Sequence, residues 1–152
     1  MITNDVIFLG VPPAVKCTRA TTTAYVSGNA LTWPGTDAYD TDSMHNPVTN
    51  NSRITINTAG VYLLTTSFLI NYTGTLTNAY PFFYKNGTTT IAKMERGGFN
   101  STGNFRFTYT AIEKFSVADY VEVKIDIGGA TSPFESFSDF DSFFAASWLG
   151  NT

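Results

Sequence analysis

Few side chains in this 152-residue chain could do chemistry, and the scarcity is informative. There is one histidine, His45, and one cysteine, Cys17. A hydrolytic triad would need His45 beside a serine or beside Cys17, and no G-x-S-x-G elbow occurs to display such a serine. A closed structural zinc site takes about four Cys or His ligands, which one of each does not supply. Cys17 lies in a Thr-rich stretch and reads as a small buried residue. Carboxylates pair at Asp40 and Asp42 and again at Asp139 and Asp141. Calcium takes about six to eight oxygens, so these i, i+2 pairs read first as caps on nearby backbone amides. No phosphate loop, dinucleotide fingerprint or basic-aromatic interleaving is present. The residues point away from an enzyme and imply no cofactor and no metal.

Two features favour binding over catalysis. Phe134, Phe137, Phe140, Phe143 and Phe144 crowd the end of the chain. They read as core plus subunit contact, or as a sugar-stacking platform. At the other end, Val6, Ile7, Phe8, Leu9 and Val11 precede Pro12-Pro13. No basic residue comes before this run and no small-residue cleavage site follows, so it is not a convincing signal peptide. It reads either as a first edge strand or as an arm (residues 1–13) whose apolar side chains dock on a partner.

Composition sets the frame that must position these residues. Charged residues make up 14% and aromatics 15% of the chain, a balance that excludes charge-driven disorder. The net charge is −3 and no Lys/Arg cluster occurs, which argues against a nucleic-acid partner. No apolar run approaches the ~18 residues of a spanning helix, so no membrane segment is expected. Thr occurs 24 times and Asn 12 times, a strand-and-turn composition. Asn50, Asn71, Asn86 and Asn100 head N-x-S/T triplets, which this composition produces by chance.

Period-two alternation is widespread and helical periodicity is absent. Strands are expected over residues 14–26, from Ala30 to Trp33, over 53–57, over 61–72, over 80–85 and 88–94, near 105–111, over 121–127 and over 142–149. Asn86-Gly87 between two apolar runs predicts a tight hairpin. Thr36–Ser52, Asn71–Asn78 and Ser132–Asp141 read as loops, and Gly97-Gly98 as a strand end. Many short strands separated by turns indicate a sandwich or barrel. The final strand is apolar on both faces, so it belongs in the middle of a sheet beside the first.

Several segments together resemble a known family. They are Tyr39-Asp40-Thr41-Asp42-Ser43-Met44-His45 with Asn51-Ser52-Arg53-Ile54-Thr55-Ile56, and Ala59-Gly60-Val61-Tyr62-Leu63. Phe83-Tyr84-Lys85-Asn86-Gly87, Asp119-Tyr120-Val121-Glu122-Val123 and Ser142-Phe143-Phe144-Ala145 complete the set. The chain is similar, over roughly residues 14–150, to the C1q-type jelly roll of the bacterial and tailed-phage subgroup. That resemblance implies an all-β sandwich of roughly ten strands in two sheets of five, assembled as a homotrimer. The collagen-like Gly-X-Y stalk of many animal members is absent.

One jelly-roll domain over residues 14–152 with a short extended N-terminal arm is therefore expected. The functional expectation is a capsid decoration, or cement, protein on the outer surface of a phage virion, bridging major capsid proteins. The arm residues Val6, Ile7, Phe8, Leu9 and Val11 would bind the capsid. Tyr62, Phe137, Phe140 and Phe143 are the candidate trimer contacts. The alternative is a tail-fibre or baseplate head that recognises a host glycan through the Asn71–Asn78 and Phe134–Phe140 loops.

Overall fold

The computed structural model describes residues 10–19, 23–72, 76–94, 96–99, 103–128, 134–136 and 142–151. The fold is all-β, with no helix among the described residues. The segments are β1 (Ala14–Thr18), β2 (Thr23–Tyr25), β3 (Tyr39–Asp40), β4 (Arg53–Thr55), β5 (Gly60–Tyr72), β6 (Leu76–Lys85), β7 (Thr89–Lys93), β8 (Arg96–Phe99), β9 (Gly103–Phe115), β10 (Tyr120–Gly128), β11 (Phe134–Ser136) and β12 (Phe143–Gly150).

Two antiparallel sheets face each other. In the first, β9-β5-β12-β1-β3 run side by side, and the three-residue segments β11 and β2 extend it beyond the end of β12 along β5. In the second, β4-β10-β6-β7 are adjacent and β8 continues along β6. Setting aside the additions β2 and β11, this is the expected ten-stranded jelly roll with five strands in each sheet. The last strand lies centrally, between β5 and the first strand, as its two-sided apolar character demands.

The core fills the space between the sheets. Phe83 of the second sheet stacks against Phe144 of the first, with centroids 5.8 Å apart, and Phe68 stacks on Phe107 at 5.5 Å. Val121, Val123 and Ile125 of β10 are fully buried, as their alternation with charged residues predicts. Asn86 and Gly87 both take positive φ, 53° and 67°, so the Asn-Gly hairpin forms as expected.

The differences from the sequence reading lie in short segments. The strand expected over residues 14–26 is described as two, β1 and β2. Ala30 makes only an isolated bridge with Lys124. The stretch around it instead follows β10, with Gly28 N–H donating to Ile125 O and Leu31 N–H to Val123 O, each at 2.8 Å. Gly97 and Gly98 lie inside β8, and Phe134–Ser136 form β11 within the expected terminal loop. In each case the pairing comes from a neighbouring strand distant in sequence, and local composition does not reveal it.

Two positions carry the sandwich's internal constraints. Gly60 opens β5 at φ +154° directly beneath Trp148, where a Cβ would collide with the indole nitrogen and stand 2.7 Å from Gly150 O. The strand therefore opens at a close approach that leaves no room for a side chain. Gly60→Ala is expected to lower stability by about 2–3 kcal/mol through overpacking, read as a drop in denaturant midpoint with an unchanged slope.

Tyr25 ties β2 to the opposite sheet. Its hydroxyl accepts the Ile125 N–H at 3.0 Å and has two carbonyl acceptors within reach of its one proton, Ile125 O at 2.8 Å and Asn29 O at 2.5 Å. Burial pushes this phenol up to about 12, and burial likewise lifts Tyr62 to about 12, aided by Asp42. An unfolded tyrosine ionises near 10, so between those values the unfolded chain binds fewer protons than the folded one. Stability is therefore expected to fall as pH rises from about 10 to 12, by at most about 1.4 kcal/mol per pH unit from Tyr25, with Tyr62 and Tyr109, whose hydroxyl is buried, acting in the same direction. Denaturant melts across that range check this, and Tyr25→Phe should flatten the slope.

Candidate functional site

The two sheets turn different surfaces outward. On the second sheet the outward positions of β10 are Glu122, Lys124 and Asp126, and Arg53 and Lys93 flank them on neighbouring strands. These charges rest on aromatic faces: Lys124 Nζ is 4.2 Å from the Tyr84 ring centroid, Lys93 Nζ 4.4 Å from Tyr80, and the Arg53 guanidinium 4.8 Å from Tyr120. The cationic groups themselves lie on the rings, with Lys93 and Asp126 about half exposed and Lys124 and Glu122 largely covered.

The first sheet is different. Its registers place three outward rows across β9, β5, β12 and β1. They are Ile112-Leu63-Ser147-Ala14, Thr110-Thr65-Ala145-Lys16 and Thr108-Ser67-Phe143-Thr18. Lys16 is the one charged residue within these three rows, its Nζ 4.6 Å from the Phe143 ring centroid. The rows on either side add two cations from β9, Arg106, whose Nη1 donates to Ser67 Oγ at 3.2 Å, and the exposed Lys114. Ile112 is 64% exposed and Leu149, further along β12, is 53% exposed. Four strands and three rows at ordinary strand spacing cover roughly 400 Å². Along its other edge β9, with 13 residues, pairs with no strand among the described residues. A long edge with no partner among the described residues, beside a charge-poor face, is a surface that proteins normally cover.

The candidate residues divide between this face and elsewhere. Phe143 lies on it, half-buried. Tyr62 does not, which corrects the expectation that it contacts another subunit. It has the opposite parity to Leu63, is fully buried, and its hydroxyl donates to Thr58 O at 2.6 Å. Its ring meets Phe115 edge-on at 6.0 Å. It is a core residue that fastens the turn into β5. Phe137, Phe140 and the arm residues Val6, Ile7, Phe8 and Leu9 lie outside the described residues, as do Asp139 and Asp141. Val11 is 72% exposed. Of the Asn71–Asn78 loop, Asn71 and Tyr72 close β5 and Leu76–Asn78 open β6, while residues 73–75 lie outside the described set.

A second feature lies at the end of the sandwich near β3, where sequence reasoning found only turn capping. Asp40 does cap: its carboxylate accepts the backbone N–H of Asp42 at 3.2 Å and of Met44 and His45 at 2.9 Å each. Asn57 Nδ2 donates to Asp42 O at 2.7 Å and Ser43 O at 3.0 Å, closing the loop from the other side. Pairing with β1 holds the preceding segment, with Ala38 N–H donating to Lys16 O and Thr41 N–H to Ala14 O, each at 2.9 Å. The loop therefore packs His45 inward, its side chain fully buried, with Nδ1 2.8 Å from Asp37 Oδ1. Cys17 projects from β1 into the same place. A sulfur, a ring nitrogen and an Asp37 oxygen all lie within 4.8 Å of one another. Burial, with Asp37 and Asp40 nearby, holds the Cys17 thiol far above its ordinary range, so it stays protonated. Beside the cluster a cavity of about 380 Å³ is lined by Asn46, Asn50, Arg53 and Asn57 among others.

No protein-family profile and no curated protein matches the sequence. Solved structures do match the fold. The globular domain of zebrafish complement 1qA protein superposes with TM-score 0.67 at 13% identity, covering 93% of this chain and 100% of that one. The Eiger TNF of S. frugiperda gives 0.69 at 11% identity, over 93% and 96% of the two chains. Murine APRIL gives 0.65 at 15% identity, over 91% and 100%. The chain thus has the C1q/TNF-type jelly-roll fold, and at these identities the likeness concerns the fold alone.

Proposed function

We propose that this chain is a structural virion protein, a homotrimer that decorates a phage head from its outer surface and bridges major capsid proteins. The observation that carries the assembly is the charge-poor outward face of the first sheet, where Lys16, Arg106 and Lys114 are the cations and no outward-facing carboxylate occurs on β9, β5, β12 or β1 among the described residues, set against the mixed-charge face of the second. A cyclic trimer needs a heterologous contact, one surface of each copy meeting a different surface of the next. A broad Thr/Ala/Leu/Ile face flanked by the free edge of β9 offers two such surfaces. A standard interface buries roughly 800 Å² per partner, so the ~400 Å² grid supplies the centre of one and the β9 edge extends it. The capsid role draws on the resemblance of Tyr39–His45 and Ser52–Ile56 to the phage subgroup and on the apolar arm, which would lie across neighbouring capsid proteins.

Placing a carboxylate on the face tests the assembly. Ile112→Glu combined with Leu63→Glu is expected to give a folded monomer by light scattering, while Lys124→Glu on the second sheet leaves a trimer. Deleting residues 1–13 is expected to abolish binding to phage heads stripped of decoration protein and to keep the trimer. Full binding by that truncated trimer would remove the arm from the account.

The glycan-binding reading has one observation in its favour, the polar cavity beside β4. Arg53 Nε is buried there with no hydrogen-bond partner, amid amide side chains that suit sugar hydroxyls and carboxylates. On that reading a glycan array shows binding to an acidic saccharide that Arg53→Ala abolishes. An array with no signal for the wild-type trimer would sink it.

A further inference from the structure

The sole cysteine and the sole histidine of the chain meet in one place, with a carboxylate beside them. Nothing in the proposed assembly uses them. Cys17 comes from β1, His45 from the loop after β3 and Asp37 from the segment before it, so three separate stretches converge. Cys17 and the His45 side chain are fully buried and the Asp37 side chain is 15% exposed, leaving the cluster open to solvent on the Asp37 side.

The donor chemistry is mixed and specific. A thiolate, an imidazole and a carboxylate together suit zinc, whereas calcium and magnesium take oxygen alone. The histidine is already oriented. Its Nε2 faces Asn51 O at 3.4 Å, a carbonyl that also accepts the Trp33 N–H at 2.7 Å. Nδ1 lies 2.8 Å from the Asp37 oxygen, a hydrogen-bond distance at which it donates its proton when no metal is bound. A metal at that position would take the place of the proton, the imidazole then carrying its hydrogen on Nε2 toward Asn51 O. A backbone carbonyl holding the far nitrogen of a ligating histidine is the usual outer support of a metal site. Asp40, by binding three loop amides, holds the His45 backbone in place.

We propose that Cys17, His45 and Asp37 form a three-ligand zinc site with its fourth position open to water. Cys17 binds through Sγ, His45 through Nδ1 and Asp37 through its carboxylate. On binding, the S–H bond of Cys17 breaks and its proton leaves to solvent, and the sulfur donates its electron pair to the metal. The resulting group, a divalent cation with one thiolate, one carboxylate and one neutral imidazole, carries no net charge, which suits its burial. Zinc–nitrogen and zinc–oxygen bonds of about 2.1 Å place those atoms about 3.4 Å apart in a tetrahedron, so Asp37 and His45 separate by under ~1 Å to admit the ion. This site differs from the closed four-ligand centre that the composition excludes. It ties β1 to the loop before β4 and is independent of the trimer and of the capsid role.

The full chain is stripped with chelator, loaded with zinc, gel-filtered and assayed for metal. The expected result is one zinc per chain, lost in Cys17→Ala and in Asp37→Asn. Loading cobalt instead is expected to give a sulfur-to-cobalt charge-transfer absorption in the near ultraviolet, which only thiolate ligation produces. Wild-type protein that retains no zinc and shows no such band overturns the proposal, as does equal zinc retention by Cys17→Ala. If Cys17→Ala does not fold, the wild-type cobalt spectrum decides alone.

Discussion

The pairing of β5 with β12 at the centre of the first sheet is the contact on which the rest of the molecule depends. Along β12, Phe144 and Ala146 point into the sandwich, and Phe143, Ala145 and Ser147 point out. Side chains alternate with a period of two, so a slip of one residue would expel Phe144 from its stack on Phe83 and turn Ala145, with Phe143 or Ser147, inward instead. Gly60 and Trp148 lock the register at one end, because only a residue without a Cβ fits beneath the indole. With β5 and β12 set, β1 adds to one side and β9 to the other, and the outward grid is defined in the same step.

That grid is the surface on which the proposed assembly rests. A sheet exposed to water would be expected to carry charge on its outer side, as β10 does with Glu122, Lys124 and Asp126. The outer side of the first sheet carries mostly threonine, serine, alanine, leucine and isoleucine, with Lys16, Arg106 and Lys114 as its charges. Threonine is also a good strand former, so these positions favour the sheet locally while keeping few of the charges that would resist burial. A surface of this kind gains from being covered by another copy, and desolvating it costs little.

Much of this was legible in the sequence. The alternation in residues 121–127, the two-sided apolar runs at 61–72 and 142–149 and the Asn86-Gly87 hairpin each state their structure locally. Two kinds of information were not legible. One is which parity of a two-sided strand faces the core. Nothing local separates Tyr62 from Leu63, and the choice is made by Phe115 from β9 and by Thr58 O. The other is convergence at long range. Cys17, Asp37 and His45 come together only because β3 pairs with Val15 and Lys16, and β3 is just two residues long. The segments β8 and β11 escaped for the same reason, their pairing partners being supplied by β6 and β5.

The central claim is that the charge-poor face of the first sheet is buried between copies, and the solution mass of the chain tests it most directly. Sedimentation equilibrium of the full-length protein at micromolar concentration is expected to return about three times the 16.6 kDa chain mass, and to do so without change at high salt, since the contact is not ionic. A mass of 16.6 kDa under those conditions would leave the face exposed and contradict the account.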